Sequence, residues 1–204
     1  MTMDRARAEA YPLRRREVVA SLIGQRTDLL LVGGLGAPSN DIAAVGDRPN
    51  FMPLWGAMGG AAMIGMGLAL AQPSKRVLVI TGDGEMLMGM GALATIAVKA
   101  PGNLSIVVLD NERYGETGGQ TTHTSARVDL CGVAEACGIR VVGKVVTAAE
   151  LEAAKPAILE FAGPCFHVIK VKAEQEEMIL PPKDGHYLRD RFRTAVLGAE
   201  AAKL

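Results

Sequence analysis

The sequence is poor in aromatic residues, which make up only 4% of its 204 positions. Proteins that bind single-stranded nucleic acid usually stack bases on aromatic side chains, so this composition argues against that function. An excess of positive charge is also lacking, because 22 Lys and Arg residues balance 22 Asp and Glu residues. A balanced charge favours neither nucleic acid nor an anionic membrane surface as a partner. We therefore expect a protein that binds neither nucleic acid nor membrane.

Cysteine is scarce as well, with Cys131, Cys137 and Cys165 the only three and no C-x-x-C pair among them. This spacing signals neither a zinc site nor an iron–sulfur site. The most apolar stretch, residues 58–71, is too short to span a bilayer. The charged N-terminus lacks the apolar run of a secretory signal, so we predict a cytoplasmic protein with reduced thiols.

Two nucleotide-binding motifs are absent, the G-x-G-x-x-G fingerprint and the P-loop. After Gly82 and Gly84, the position where the fingerprint needs a third glycine is Leu87. A non-catalytic nucleotide-binding regulatory module remains an alternative, without its usual signal. Hydrophobic residues make up 49% of the chain and charged residues 22%, as in globular proteins. The length predicts a single domain over residues 1–204, with a C-terminal tail from about residue 173.

The most informative stretch is residues 76–125, which predicts one βαβ unit. An apolar strand, 76–81, breaks at Gly82-Asp83-Gly84. A helix follows over roughly 85–99, and a second apolar strand, 104–109, ends at Asp110-Asn111. Both strands of such a unit end at the same edge of the sheet, where α/β proteins bind their ligands.

Asp83 and Asn111 are therefore expected to converge at that edge. A carboxylate oxygen and an amide oxygen suit a hard cation such as Mg²⁺. Gly82 and Gly84 would let the backbone turn sharply and approach a ligand closely. The helix beginning at Glu85 would direct its free N–H groups at an anion such as a phosphate. The sequence thus predicts a joint site for a metal ion and a diphosphate.

The pattern Gly82-Asp83-Gly84, followed after the next strand by Asn111, resembles the thiamin diphosphate fingerprint GDG…NN. Asp110 replaces the first Asn of the second half, whereas the second Asn, which ligates the metal in that family, is present as Asn111. The resemblance implies thiamin diphosphate and Mg²⁺ as cofactors. It also implies a third metal ligand, the backbone carbonyl of Arg113.

Two further segments agree with this resemblance. In the Gly-x-Met-Gly segment, composition alone makes Met58 a core residue. The resemblance instead places Met58 between the two rings of the cofactor and gives the carbonyl of Gly56 a contact with its pyrimidine. In the loop after the first strand, Ser39 or Asn40 could cap a helix, or Gly36 and Ser39 could contact the diphosphate.

Glu85 also has two possible roles, as a helix cap or as part of the metal shell, and we favour the cap. A long polar segment, 111–121, follows the second strand and is predicted to be an irregular, functional loop. Its Tyr-Gly-x-Thr-Gly-x-Gln run, which contains Tyr114 and Gly115, resembles the sulfopyruvate decarboxylase β chains. Its Gly-Gly-Gln ending resembles the phosphonopyruvate decarboxylases.

These resemblances imply a lyase that decarboxylates a short 2-oxoacid carrying a second anionic group, a sulfonate or phosphonate. Another thiamin diphosphate-dependent lyase or carboligase subunit, similar to acetolactate synthase, is the alternative. In the family, a Glu on a separate pyrimidine-binding domain activates the cofactor, and we find no segment for that domain here. We therefore expect no catalytic residue in this chain and a hetero-oligomer, itself self-associating, in which an α-type subunit supplies the Glu.

The remaining pattern predicts an α/β fold, an open and mostly parallel sheet with helices on both faces. The other predicted helices span 12–25, 129–136, 147–161 and 195–203. The other predicted strands span 28–33, 51–54, 140–142 and 165–171. Of the three histidines, His123 and His186 are expected at the surface, whereas His167 is expected to be structural.

Overall fold

The structure, a computed structural model, describes residues 5–24 and 26–203. Its centre is a six-stranded sheet in which every neighbouring pair is parallel, with the order β2-β1-β3-β4-β8-β7. The strands of this sheet are β1 (Leu29–Gly33), β2 (Phe51–Pro53), β3 (Arg76–Gly82), β4 (Leu104–Asp110), β7 (Val141–Val145) and β8 (Cys165–Lys170). A separate antiparallel pair consists of β5 (Arg113–Tyr114) and β6 (Gln120–Thr121).

The helices lie on both faces of the sheet, which confirms the predicted fold class. They are α1 (Arg5–Glu9), α2 (Arg15–Ile23), α3 (Ala37–Val45), α4 (Ala61–Ala71), α5 (Asp83–Met88), α6 (Ala92–Lys99), α7 (Leu130–Ala136), α8 (Ala148–Leu159) and α9 (Gly185–Leu197). Residues of α4, α6, α7 and α9 share one apolar cluster, and residues of α2, α3 and α8 share the other.

The central strands are buried on both faces, which explains their nearly continuous apolar sequences. Helix α4 packs closely on β3, since a Cβ on Gly65 of α4 would lie 2.1 Å from Cγ2 of Val79. The chain runs from β1 to β2 on one side and then to β3 on the other. This reversal of strand order opens a crevice at the carboxyl ends of β1 and β3, where open α/β sheets bind ligands.

The prediction of one continuous helix over 85–99 is wrong, since the structure has two helices there, α5 and α6. The interruption contains Gly89 and Gly91, and glycine weakens a helix. A Cβ on Gly89 would lie 2.1 Å from the carbonyl oxygen of Gly59, so only glycine permits this approach of the two backbones. The break is therefore set by a contact between segments far apart in sequence.

The predicted helix over 12–25 begins later than expected, with α2 starting at Arg15, and Gln25 lies outside the described residues. The carbonyl of Leu13 accepts a hydrogen bond from the N–H of Lys172, so the segment before α2 is bound to the chain that leaves β8. Arg15 and Arg16 both pair with the buried Asp41 of α3, which joins α2 to α3.

The helix predicted over 195–203 is also placed incorrectly. Helix α9 begins ten residues earlier, where Asp184 caps it by accepting a hydrogen bond from the N–H of Tyr187 at 2.9 Å. Residues 198–203 form a 3-10 helix after it. Among the helices of the described part, none is long and apolar enough to cross a membrane.

Candidate functional site

The candidate site lies where β3 and β4 end side by side, with Gly82 in register with Leu109. Asp83 is the first residue of α5 and is 2% exposed, and Asp110 is the last residue of β4 and is 1% exposed. Two apolar strands end in an acidic residue at the same edge of the sheet, so two carboxylates are buried close together. The predicted βαβ unit therefore positions its polar turns as its sequence indicates.

Two threonines join these carboxylates. The hydroxyl of Thr122 donates to Oδ2 of Asp83 at 2.6 Å. The hydroxyl of Thr124 lies 3.3 Å from the same oxygen and 2.8 Å from Oδ1 of Asp110. Burial, and then the charge of Asp110, raises the pKa of Asp83 well above its ordinary value. Within the described residues no Lys or Arg pairs with Asp83, so a bound cation would be needed to hold it ionised.

Asn111 follows Asp110 directly and is half-buried at the same edge. Its Oδ1 accepts a hydrogen bond from the N–H of Arg113 at 3.0 Å, which closes a tight turn. An amide oxygen has two lone pairs, so this bond leaves one for a metal ion. Asp83 and Asn111 thus lie at the ends of neighbouring strands, as predicted, and Arg113 follows in β5.

The segment predicted as an irregular loop, 111–121, is instead a small folded unit. Strands β5 and β6 pair, and the N–H of Thr122 donates to the carbonyl of Glu112 at 3.0 Å. The ring of Tyr114 covers the start of α5, since a Cβ on Gly84 would lie 2.7 Å from it. Gly115 begins a 3-10 turn, and a Cβ there would meet no atom within 4 Å, so this position faces open space.

The role favoured for Glu85 is wrong, because its side chain does not cap its own helix. Its Oε2 accepts hydrogen bonds from the N–H of Leu35 at 3.0 Å and the hydroxyl of Thr81 at 2.8 Å. Its Oε1 accepts one from the N–H of Gly59 at 3.2 Å. The buried carboxylate of Glu85 therefore joins the loops that follow β1 and β2 to the end of β3.

The predicted cap of α3 by Ser39 or Asn40 is also wrong, since this helix begins at Ala37 with Gly36 at the N-cap position. The Ser39 hydroxyl is buried and donates to the carbonyl oxygens of Gly33 and Gly34, at 3.0 and 2.8 Å. Gly36 has a φ of +77°, and a Cβ there would lie 2.7 Å from Oε1 of Glu116. Gly36 and Ser39 thus shape the turn at the end of β1, beside the crevice.

Gly56 and Met58 lie between β2 and α4, at the same edge. Met58 is 39% exposed and belongs to neither core cluster, so the interpretation as a core residue is wrong. Gly82 has an extended backbone with a φ of −95°, so it does not make the sharp turn that we predicted. The nearest atom to a Cβ on Gly82 would be Cγ of Pro38, at 4.0 Å, which leaves that side open.

Sequence reasoning missed a network of buried charges beside these residues. Nζ of Lys170, at the end of β8, lies 2.7 Å from Oδ2 of Asp110 and 2.9 Å from Oε1 of Glu112. The Tyr11 hydroxyl and the Arg7 guanidinium donate to the same Glu112 oxygen, at 2.7 and 2.8 Å. The available signal was a lysine closing the apolar run of β8.

The electrostatics of the network follow from its geometry. Burial raises the pKa of Glu112, but hydrogen bonds from Lys170, Tyr11 and Arg7 outweigh it and lower that pKa below its usual range. Burial lowers the pKa of Lys170, but the neighbouring Asp110 and Glu112 outweigh it and raise that pKa. Glu112 and Lys170 are therefore charged at neutral pH.

The donor set fits a hard divalent cation. In the part of the chain that the structure describes, the three buried carboxylates of Asp83, Asp110 and Glu112 face one buried ammonium and the partly exposed Arg7. The described residues contain no group of three or more His, Cys, Asp and Glu side chains that could hold a metal ion. An ion beside Asp83 would therefore take further oxygens from Asn111, from the main chain and from the bound molecule.

The three histidines form no hydrogen bond or ion pair with the acidic residues of this network within the described part of the chain. His123 and His186 are exposed, and His167 is buried within β8, as expected. Burial lowers the pKa of His167 to about 4, so its imidazole is neutral at neutral pH.

The fold and the candidate site together define an α/β protein with a parallel sheet and a crevice, lined by buried acidic turns, at the carboxyl ends of its strands. A family model, "Thiamine pyrophosphate enzyme, C-terminal TPP binding domain", matches residues 37–169. The chain belongs to this family.

Two curated relatives illustrate the similarity. The sulfopyruvate decarboxylase subunit beta of Methanothermobacter thermautotrophicus is 37% identical over 187 residues, which cover 92% of this chain and 97% of the relative. The phosphonopyruvate decarboxylase of Streptomyces viridochromogenes is 40% identical over 158 residues. Those residues cover 78% of this chain but only 39% of that relative.

Solved structures agree on the fold. The benzoylformate decarboxylase of Polynucleobacter necessarius superimposes with a TM-score of 0.66 at 22% identity. The match covers 86% of this chain and 36% of that one.

Proposed function

We propose that this chain is the diphosphate- and metal-binding subunit of a thiamin diphosphate-dependent 2-oxoacid decarboxylase. The observation that carries the proposal is the pair of buried acidic turns at the ends of β3 and β4, where Asp83 has no cationic partner among the described residues and Asn111 follows Asp110 directly. The named activities of the relatives support it, since both are decarboxylases of short 2-oxoacids.

In this proposal Asp83, Asn111 and the carbonyl of Arg113 hold Mg²⁺, which neutralises the diphosphate. Main-chain N–H groups at the start of α5 and around Gly36 face the diphosphate. The cofactor, when bound, supplies a carbon nucleophile and accepts the electrons released as CO₂ departs.

The remaining predicted residues act on the organic part of the cofactor. Met58 would pack against the middle of the cofactor, and the carbonyl of Gly56 would accept a hydrogen bond from its pyrimidine. Tyr114 and Gly115 form the wall beside the metal. Glu85 acts indirectly, because its hydrogen bonds fix the loops that carry Leu35 and Gly59.

A second chain completes the proposed enzyme. This chain covers nearly all of a relative named as a beta subunit, but less than half of a longer relative named as a phosphonopyruvate decarboxylase. The uncovered part of the latter is where a pyrimidine-binding domain would lie. We infer that an α-type subunit supplies that domain and the Glu that activates the cofactor, and that the assembled enzyme also pairs copies of this chain.

Calorimetry with thiamin diphosphate and Mg²⁺ tests the site. Asp83→Asn keeps the side-chain shape, and we expect it to weaken metal-dependent binding by more than about 100-fold, beyond the loss typical of an outer-shell partner. Asp190→Asn is the matched control, because Asp190 is exposed on α9 and its carboxylate pairs with Arg189 at the surface; its binding should equal that of the wild type. Equal binding by Asp83→Asn and the wild type would remove the proposed site.

The substrate is tested separately with the assembled two-chain enzyme. Release of CO₂ and the aldehyde from sulfopyruvate or phosphonopyruvate would support the proposed substrate class. Consumption of a different 2-oxoacid, or carboligation without a free aldehyde, would assign the chain to another thiamin diphosphate-dependent lyase.

A further inference from the structure

We propose that Lys170 is a positioning residue for the metal-binding turn 110–113, which it holds in shape by fixing the residues on both sides of Asn111. The inference rests on the proposed function, because it assumes that Asn111 ligates a metal ion. It adds a role for a residue of β8 that touches neither the metal ligands nor the crevice.

The turn needs an external support because its backbone is unusual. Glu112 has a φ of +59°, in the left-handed region that residues with a Cβ rarely adopt. Two local bonds shape the turn: Oδ1 of Asp110 accepts from the N–H of Glu112 at 3.1 Å, and Oδ1 of Asn111 accepts from the N–H of Arg113 at 3.0 Å. A strained conformation persists only where the surrounding structure holds it.

Lys170 supplies that support from the neighbouring strand. It is in register with Asp110, so its side chain starts beside the end of β4. Its ammonium contacts Asp110 at 2.7 Å and Glu112 at 2.9 Å. Asn111 lies between these two residues in sequence, so one ammonium fixes both flanks of the residue whose amide must face the metal.

No other cation of the network has this double contact. Within the described residues, Arg7 donates to Glu112 and to the carbonyls of Thr124 and Ser125, and the Tyr11 hydroxyl donates to Glu112. Without the ammonium of Lys170, the carboxylates of Asp110 and Glu112 would lie buried near Asp83, with Arg7 the one cation left beside them in the described part of the chain. Their repulsion would open the turn and displace Asn111.

The proposal predicts a loss of metal affinity that is separate from a loss of folding. Mn²⁺ serves as the probe, and the free ion is counted by electron paramagnetic resonance in the two-chain enzyme with saturating thiamin diphosphate. For Lys170→Met we expect the Mn²⁺ dissociation constant to rise about 10- to 100-fold, the range seen when outer-shell partners of metal ligands are removed. Lys170→Arg, which keeps the charge, should recover most of this affinity.

Tyr11→Phe is the matched control, because it removes one hydrogen bond to Glu112 but leaves both contacts of Lys170 in place. Its dissociation constant should stay within about threefold of the wild type, since the double contact persists. All measurements are made well below the unfolding midpoint of each variant. At saturating Mg²⁺ we expect kcat of Lys170→Met to approach that of the wild type, while its apparent KM for Mg²⁺ stays raised. A general packing defect would not produce this split.

Folded Lys170→Met with the Mn²⁺ affinity of the wild type would overturn the proposal. If that variant does not fold, Glu112→Gln tests the same contact from the other side, because it keeps the side-chain shape and removes the charge that Lys170 holds. An unchanged Mn²⁺ affinity in Glu112→Gln would be equally decisive against it. Failure of the proposed function is recognised separately, by Asp83→Asn binding Mn²⁺ as well as the wild type.

Discussion

The two edges of the parallel sheet use polar side chains in different ways. At the amino edge, the amide of Asn103 donates to the carbonyls of Ala69, Gln72 and Lys75, at 3.1, 2.9 and 2.7 Å. Arg76 donates mainly to main-chain carbonyls near the end of α8, among them Ile158 at 2.7 Å. At the carboxyl edge, buried carboxylates instead contact hydroxyls and a few cations.

The difference separates structure from function. Side chains at the amino edge satisfy the carbonyls at the ends of α4 and α8, which is a need of the fold. At the carboxyl edge the charges do not balance. Oε2 of Glu112 is buried without a hydrogen-bond partner among the described residues, and no Lys or Arg of that part of the chain forms an ion pair with Asp83. Nε of Arg76 at the amino edge is also buried without a partner, so the excess of buried carboxylates over cations, rather than one unpaired atom, indicates that another group completes the carboxyl edge.

The largest expected effect on stability comes from the amino edge. Asn103→Ala removes the side-chain donor of three carbonyls, of which that of Gln72 keeps the N–H of Lys75, and we expect the free energy of unfolding to fall by about 2 to 3 kcal/mol. Because Asn103 is far from the crevice, the affinity for thiamin diphosphate and Mg²⁺ should not change. Chemical denaturation and calorimetry measure the two quantities, and a weakened cofactor affinity would contradict the division between the edges.

A smaller effect of opposite sign is expected at the carboxyl edge. The folded-state pKa of Asp83 is raised above its ordinary value, so ionising it costs stability, and the cofactor-free protein should lose stability as the pH rises toward that raised pKa. Asp83→Asn removes this cost. We expect it to stabilise the cofactor-free protein by about 1 kcal/mol near pH 7 and to flatten the pH dependence of unfolding. Destabilisation instead would show that Asp83 serves the fold.

Some features of the structure could be predicted from the sequence and others could not, and the difference has a physical reason. The strands β3 and β4 were predictable because their apolar runs are local, and the acidic and amide turns follow from the strand ends. The contact between Lys170 and Glu112 was not predictable, since it joins residues 58 positions apart. The break between α5 and α6 likewise depends on Gly59, which belongs to another segment.

Errors at helix starts have a different cause. Ser39 and Asn40 are residue types that often cap helices, but α3 begins earlier, at Ala37 with Gly36 as its N-cap. The Ser39 hydroxyl instead donates to the carbonyls of Gly33 and Gly34 at the end of the preceding strand. Asp184 caps α9 through its side chain, as aspartate often does. The apolar stripe of α9, with Leu188 and Phe192 buried, is too sparse to predict a helix from the sequence. Local signals identify cap residues but do not decide which of them is used.

The smallest expected effect on stability is that of Gly82→Ala, and it distinguishes this glycine from Gly84 on the other side of Asp83. Gly82→Ala should change the free energy of unfolding by less than about 0.5 kcal/mol, because its backbone is extended and its Cβ would meet nothing closer than 4.0 Å. If a diphosphate approaches this position, the same variant should lose cofactor affinity. Gly84→Ala, whose Cβ would meet the Tyr114 ring at 2.7 Å, should lower both stability and affinity. Unchanged affinity in Gly82→Ala would place the diphosphate elsewhere.

The most direct measurement is a crystal structure of the two-chain enzyme with thiamin diphosphate and Mn²⁺, in which anomalous scattering locates the metal. We predict one strong peak within bonding distance of a carboxylate oxygen of Asp83 and of Oδ1 of Asn111, with diphosphate oxygens completing the coordination. A peak that contacts neither side chain, or a diphosphate bound away from the carboxyl ends of β3 and β4, would contradict the proposed site.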